Sequence, residues 1–184
     1  MKNNPTPELI CKTFVALLAD HDYNTLSMND IASAAFIGRR TCYRYFSNKE
    51  EIIRAVVDGV GKGLTDEILK AQKMSDKADP LRMVTIFYFR FWEKNLDLIR
   101  NFKKARILHY ISDEFENIIL KVAMDIKYNG TELTDEMLAE VFRSQKYYEF
   151  IFKLSGFWRV TVEWCSEEDR RSAEEMSKMV CSFF

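Results

Sequence analysis

The sequence predicts an all-α fold of about nine helices. Three observations carry that expectation. Only 6 Gly and 3 Pro interrupt 184 residues, so long stretches run without turn signals. Apolar residues recur at helical spacing, with no convincing strand pattern. The chain is also 47% hydrophobic, enough to bury a core and unlike a disordered chain.

The elements follow in order. Thr6-Pro7-Glu8 opens the first helix, with Pro at the position where its missing N–H costs nothing. Ile10, Phe14, Leu17 and Leu18 give it one apolar face, and His21-Asp22-Tyr23-Asn24 ends it. Ser27-Met28-Asn29-Asp30 reads as a capping box with Asp in place of Glu, and Ile31, Ala32 and Ala35 make a short second helix. The chain breaks at Phe36-Ile37-Gly38, and a third short helix runs to Phe46. Ser47-Asn48-Lys49-Glu50 reads as a capping box for a fourth helix from Lys49 to about Lys73. That helix contains Gly59, Gly61 and Gly63, each costing about 1 kcal/mol against Ala in a helix interior. They either soften the helix as a hinge or let a neighbour pack closely. Met74 to Asp79 reads as a loop and Asp79-Pro80 as the next cap. Turns are expected near Asn95 and Ile111-Ser112, and Asn129-Gly130 is a break. One helix of about 30 residues is expected from Thr134 to Trp164, and Ser166 is expected to cap a last one.

The totals exclude several classes. Cys11, Cys42, Cys165 and Cys181 include no C-x-x-C pair, and His21 and His109 are the only histidines. A metal site or a disulfide framework is therefore not expected, and scattered free thiols fit a reducing cytoplasm. The N-terminus lacks a signal-peptide core, and no apolar run approaches the roughly 18 residues of a membrane span. No Gly-rich phosphate loop or nucleophile motif is present, so no enzyme and no cofactor are expected.

One segment departs from the near-neutral average of 27 Lys+Arg against 28 Asp+Glu. Residues 39–50 hold four cations, Arg39, Arg40, Arg44 and Lys49, against Glu50 alone. On a helix at about 100° per residue, Cys42 and Phe46 share the inner face. Arg40, Thr41, Tyr43 and Arg44 spread over the outer arc, with Tyr45 at its edge. Planar cationic donors, a hydroxyl and a phenol suit phosphates and base edges in a major groove. A short helix and a tight turn precede them, as a helix-turn-helix requires. The competing reading is an ordinary solvated helix face.

The stretch from Ile10 to Val56 resembles the DNA-binding domain of the TetR family of bacterial transcriptional regulators. The resemblance lies in His21-Asp22-Tyr23, Leu26-Ser27-Met28, Asp30-Ile31-Ala32, Thr41-Cys42-Tyr43-Arg44-Tyr45-Phe46 and Ser47-Asn48-Lys49-Glu50-Glu51-Ile52-Ile53. It implies a helix-turn-helix head over residues 1–50 and a ligand-sensing, dimerising helical core over 51–184. It also implies a cytoplasmic, homodimeric repressor of a palindromic operator, modulated by a small molecule. Arg39, Arg40 and Tyr43 fall where members touch bases; Thr41, Tyr45 and Lys49 fall where they touch phosphates; Arg44 suits either. The family usually has Gly-Val-Ser where this chain has Phe36-Ile37-Gly38. A left-handed Phe36 would be strained by about 1–3 kcal/mol, and Gly38 offers no side-chain cap. That departure keeps a second reading open, a helical dimeric interaction module without specific DNA readout.

Residues 51–184 carry 21 cations and 23 anions, so they are no nucleic-acid surface. By the resemblance their middle helices hold an effector, for which Tyr88, Trp92, Phe102, Arg106, His109, Tyr110 and Tyr148 are the candidates. The competing reading of the aromatics is plain core. The helix from Thr134 to Trp164 is apolar nearly all round, so it must be buried on more than one side. Ile151, Leu154, Gly156, Trp158 and Val162 in it, with Ala173, Met176, Val180 and Phe183 after it, are the candidates for a two-fold interface.

Overall fold

The computed structural model describes residues 6–74, 80–128 and 134–183. Among them are ten helices and no strand: α1 Thr6–Leu17, α2 Met28–Ala34, α3 Arg39–Tyr45, α4 Lys49–Met74, α5 Pro80–Glu93, α6 Leu96–Lys104, α7 His109–Tyr128, α8 Asp135–Arg143, α9 Gln145–Ser166 and α10 Ala173–Cys181. The expected all-α class therefore holds. The loop and cap placed before Pro80, and the break at Asn129-Gly130, lie outside the described residues.

The head forms because three short helices and the start of α4 each bring a small apolar face to one point. Ile10 and Phe14, Ile31 and Ala32, Cys42, and Ile52 and Ile53 are all buried there. Each large aliphatic or aromatic side chain so buried contributes about 1.5–3 kcal/mol. The capping box at Ser27 is present: its Oγ accepts from the Asp30 N–H, while Asp30 accepts from the Ser27 N–H at 2.8 Å. The cap of α4 is shifted by one residue from the expected Ser47. Asn48 Oδ1 accepts from the Glu51 N–H at 2.9 Å, and Glu51 reaches back to the Ser47 N–H at 2.7 Å.

Helix α4 runs out of the head and into the body, where Val57, Leu64, Ile68 and Ala71 continue its buried face. Two of its three glycines mark close approaches. A Cβ on Gly61 would lie 2.9 Å from Glu114 and Ile118 of α7, and one on Gly63 would lie 3.0 Å from the Phe91 ring of α5. Gly59 faces open space.

Helix α5 is the centre of the body. Tyr88, Phe89 and Trp92 are buried against Phe115, Phe157, Trp158 and Trp164. Tyr88 and Phe157 have centroids 4.6 Å apart, and Phe115 stacks on Trp158 at 4.9 Å. Several polar atoms inside are matched, although the Trp92 indole N–H is buried without a hydrogen-bond partner. Tyr88 Oη meets Thr161 Oγ1 at 2.9 Å, Thr85 Oγ1 meets Ser177 Oγ at 2.6 Å, and Trp158 donates to Ser112 Oγ at 2.7 Å. These bonds fix α5 against α9 and α10, and α9 against α7.

Three boundaries differ from the expectation. The helix expected from Thr134 to Trp164 is broken at Ser144, whose backbone is extended. Its Oγ accepts from the Tyr147 N–H and donates to the Val141 carbonyl, so one residue ends α8 and starts α9. Ser166 closes α9 instead of opening the last helix; Ser172 caps α10, with Glu175 completing a capping box. The turn expected near Ile111-Ser112 lies earlier, at Arg106, which takes a left-handed φ of 59°. The Arg106 N–H bonds to Lys103 and the Ile107 N–H to Phe102, a Schellman closure that packs buried Ile107 beside buried Phe102.

Candidate nucleic-acid interface

Helix α2 ends in the same Schellman closure. The Phe36 N–H bonds to the Ser33 carbonyl at 3.1 Å and the Ile37 N–H to Ala32 at 3.0 Å. Phe36 is the residue in the left-handed region, at φ 53°. A non-glycine residue held there costs about 1–3 kcal/mol. Gly38, two residues on, has φ −67° and ψ 143°, a conformation open to any residue. It is the N-cap of α3, and no side-chain cap bond is made there. The backbone still turns tightly enough to start α3, whose first bonds run from Thr41 and Cys42 to the Gly38 carbonyl.

With Cys42 and Phe46 buried, the rest of α3 is presented outward. Arg39, Arg40, Tyr43 and Arg44 are exposed, and Thr41 and Tyr45 are half-buried. The Arg44 guanidinium lies 5.0 Å from the Tyr45 ring centroid, which orients both groups along the same edge. The six α3 residues singled out from the sequence thus share one element and one side of the head.

Lys49 sits differently. Its Nζ donates to the Tyr23 carbonyl at 2.5 Å and lies 4.3 Å from the Tyr23 ring centroid. Tyr23 in turn donates to Glu50 Oε1 at 2.9 Å. Burial, reinforced by the Glu50 carboxylate, holds the Tyr23 phenol well above its usual range. No local sequence pattern signals this clamp between the α1–α2 loop and α4.

The seven effector candidates do not converge. Tyr88, Trp92 and Phe102 are buried, Tyr110 is half-buried, and Arg106, His109 and Tyr148 are exposed; Tyr88 meets Trp92 and His109 meets Tyr110, but the two pairs are not joined by any ring contact. Of these, Tyr88 alone lines the larger body cavity, about 540 Å³ between α4, α5, α7 and α9. Its walls are mainly apolar, from Ile68, Val84, Ile119, Leu154 and Phe157, with Lys146, Glu149 and Lys153 also lining it. A second opening of about 510 Å³ lies where α1 meets α4 and α5, lined by Cys11, Val15, Val56, Val60 and Phe91.

The nine interface candidates also divide. Leu154, Trp158, Val162, Ala173, Met176 and Val180 are buried within the protomer, because α5, α6 and α7 already cover those faces. Ile151 is half-buried; Gly156 and Phe183 are exposed. The outward stripe of α9 is instead Tyr148, Phe152 and Gly156, at i, i+4 and i+8.

Residues 10–56, the span that builds this head, match the model of bacterial regulatory proteins of the tetR family. Over that span the chain is similar to the tetR family. Among curated relatives it is 26% identical over 120 residues to the HTH-type dhaKLM operon transcriptional activator DhaS of Lactococcus lactis, covering 65% of this chain and 62% of DhaS. It is 39% identical over 51 residues to the putative mycofactocin biosynthesis transcriptional regulator MftR of Mycobacterium tuberculosis, covering 28% of this chain and 26% of MftR. The chain therefore spans less than two thirds of either relative. Among solved structures, a TetR transcriptional regulator from Streptococcus agalactiae superposes with a TM-score of 0.65 at 18% identity, over 97% of this chain and 92% of that one. That likeness is one of fold, and it runs through head and body alike. Among the described residues no helix is long and apolar enough to cross a membrane.

Proposed function

We propose that this TetR-family chain is a cytoplasmic, ligand-responsive repressor that binds a palindromic operator as a homodimer. The observation that carries the reading is α3. It is a seven-residue helix behind a tight turn, with Arg39, Arg40, Tyr43 and Arg44 outward and its apolar side closed against the head. Arg40 and Tyr43 read base edges, with Arg39 beside them. Thr41, Tyr45 and Arg44 hold phosphates. Lys49 acts by holding Tyr23, and hence the entry to α2, against α4. One short helix reads few bases; two related by a two-fold axis read half-sites about 34–36 Å apart. The apolar cavity between α4, α5, α7 and α9 takes the effector, and an effector that favours one spacing of the heads changes operator affinity.

The test is a titration of labelled duplexes from upstream of the chain's own gene against scrambled duplexes, at two salt concentrations. Sequence-selective binding that weakens with salt, and that falls at least tenfold in Arg40→Ala and Tyr43→Ala, is expected. Equal weak binding to both duplexes by the wild type would sink the reading. Activation in place of repression is favoured by the description of DhaS as an activator. A promoter fusion measured with and without the gene decides the sign.

A further inference from the structure

Phe36 opposes the fold twice. Its backbone is held at φ 53°, where glycine is at ease and an aromatic residue is not. Its side chain is 97% exposed, the most exposed large hydrophobic residue of the described chain. Its ring therefore gains almost nothing from burial. Glycine at this position would remove both costs, and a glycine stands two residues away, at Gly38, where φ −67° does not call for one. The Schellman closure itself uses only main-chain atoms of residues 32, 33, 36 and 37. It does not need the ring.

The position says what the ring meets. Phe36 lies in the turn immediately before α3, and Arg39 and Arg40, the first two residues of that helix, are exposed beside it. When the N-terminal end of a recognition helix enters a major groove, the preceding turn comes to the groove's edge. What a phenyl ring finds there is carbon: the C5-methyl of thymine or the deoxyribose of the flanking strand. We infer that Phe36 is a DNA-contacting residue, its ring packed on the carbon surface at the edge of the groove that α3 reads. The inference rests on the operator-binding reading above. It adds an apolar contact to the cationic and phenolic ones of α3, at a position where family members usually carry glycine. The ring, exposed in the free protein, is covered only in the complex.

The experiment separates this from that reading. Duplexes are first selected from a random pool by the full-length wild-type chain. Their affinities are then measured for the wild type and for the Phe36→Gly, Phe36→Tyr and Arg40→Ala variants, beside melting temperatures of the free proteins. Phe36→Gly is expected to melt higher than wild type yet bind about tenfold more weakly, while Phe36→Tyr keeps most of the affinity. A merely structural residue would not move stability and affinity in opposite directions. Deoxyuridine in place of thymine, one position at a time, then assigns the carbon surface. A loss at one position in wild type, absent in Phe36→Gly, marks the methyl group; no such position marks the sugar. If Phe36→Gly binds within twofold of wild type while Arg40→Ala fails, the ring contact is refuted and the operator reading stands. If the wild type selects no sequence at all, both fall.

Discussion

The side-chain amide of Asn101, in α6, donates to the main-chain carbonyl of Val15, in α1, at 3.0 Å. Lys104, one turn of α6 away, donates to the Ala19 carbonyl. Val15 lies in the last turn of α1 and Ala19 in the turn just beyond it, where carbonyls lack helical partners and the dipole favours cations. On its other side α6 reaches the end of α9: Arg100 donates to the Cys165 and Glu167 carbonyls, at 2.8 and 3.0 Å, and Lys103 to Ser166 Oγ. One nine-residue helix thus ties the last turn of a head helix to the last turn of a body helix. Replacing Asn101 and Lys104 together by Ala is expected to cost about 1–2 kcal/mol. It should also raise amide hydrogen exchange in α1 more than in α9. Unchanged protection of α1 would mean that α6 does not hold the head.

Arg106 is one of the effector candidates expected from the sequence. Its geometry gives it another task, the left-handed corner between α6 and α7. Arg106→Gly should therefore stabilise the chain by about 0.5–1 kcal/mol. A urea titration checks the sign, and a loss of stability would show that its side chain matters more than its backbone.

The indole N–H of Trp158 donates to Ser112 Oγ across the α7–α9 contact. In Ser112→Ala that buried donor keeps no partner, a cost of about 1–3 kcal/mol. The expected readout is a lower urea midpoint at unchanged slope.

Phe152 is 81% exposed and Tyr148, one turn before it, 61%. If this stripe of α9 forms the two-fold contact, light scattering gives about twice the 21.7 kDa of one chain. Phe152→Glu should then bring it to the monomer value and weaken operator binding. Wild-type scattering at the monomer mass, at micromolar concentration, removes the dimer.

Burial pushes the Cys11 thiol up to about 11, aided by Glu8, and the Cys165 thiol up to about 12. Both stay protonated in the folded chain at pH values where the unfolded chain, with thiols near 9.0, already ionises. The stability they contribute is complete below about pH 9 and falls as pH rises through 9 towards 11. Melting temperatures at pH 8 and pH 10.5 should show that fall, and it should shrink in Cys165→Ala. At pH 8, iodoacetamide should label Cys11, Cys42 and Cys165 far more slowly in the folded chain than in the unfolded one, since the thiolate is the nucleophile. Mass spectrometry of the digested protein reads the labelling at each cysteine directly.

Local signals were legible where the chemistry is local. Ser27 and Asp30 lie three residues apart and answer each other, so their capping box could be read from the letters. The inner face of α3 followed from the spacing of Cys42 and Phe46. Ser144 could not be read in the same way, because it interrupts a segment with apolar residues on both sides. Arg106 hides a left-handed corner, since its residue type does not announce one; at Phe36 the hint came from the glycine usual in the family that the stretch resembles. The cavity was least legible. Periodicity says that Tyr88, Trp92 and Phe102 face inward, but only the packing of α4, α5, α7 and α9 decides which of them lines empty space. The same holds for Trp158 and Met176, whose apolar surface could have met a second chain and meets their own.

Helix α4 belongs to both halves of the molecule. Ile52 and Ile53 are fully buried with the head helices, and Leu64 and Ile68 with the body. The family match likewise runs to residue 56, six residues past the boundary at 50 expected from the sequence. Anyone recombining this head with another regulator's body must therefore place the junction inside α4, beyond Val57. A seam at residue 50 would carry the recognition helix away from the two isoleucines that keep it folded. One placed beyond Val57 transplants the recognition helix with the buried α4 residues beneath it, and with it the angle at which the new body presents α3 to DNA.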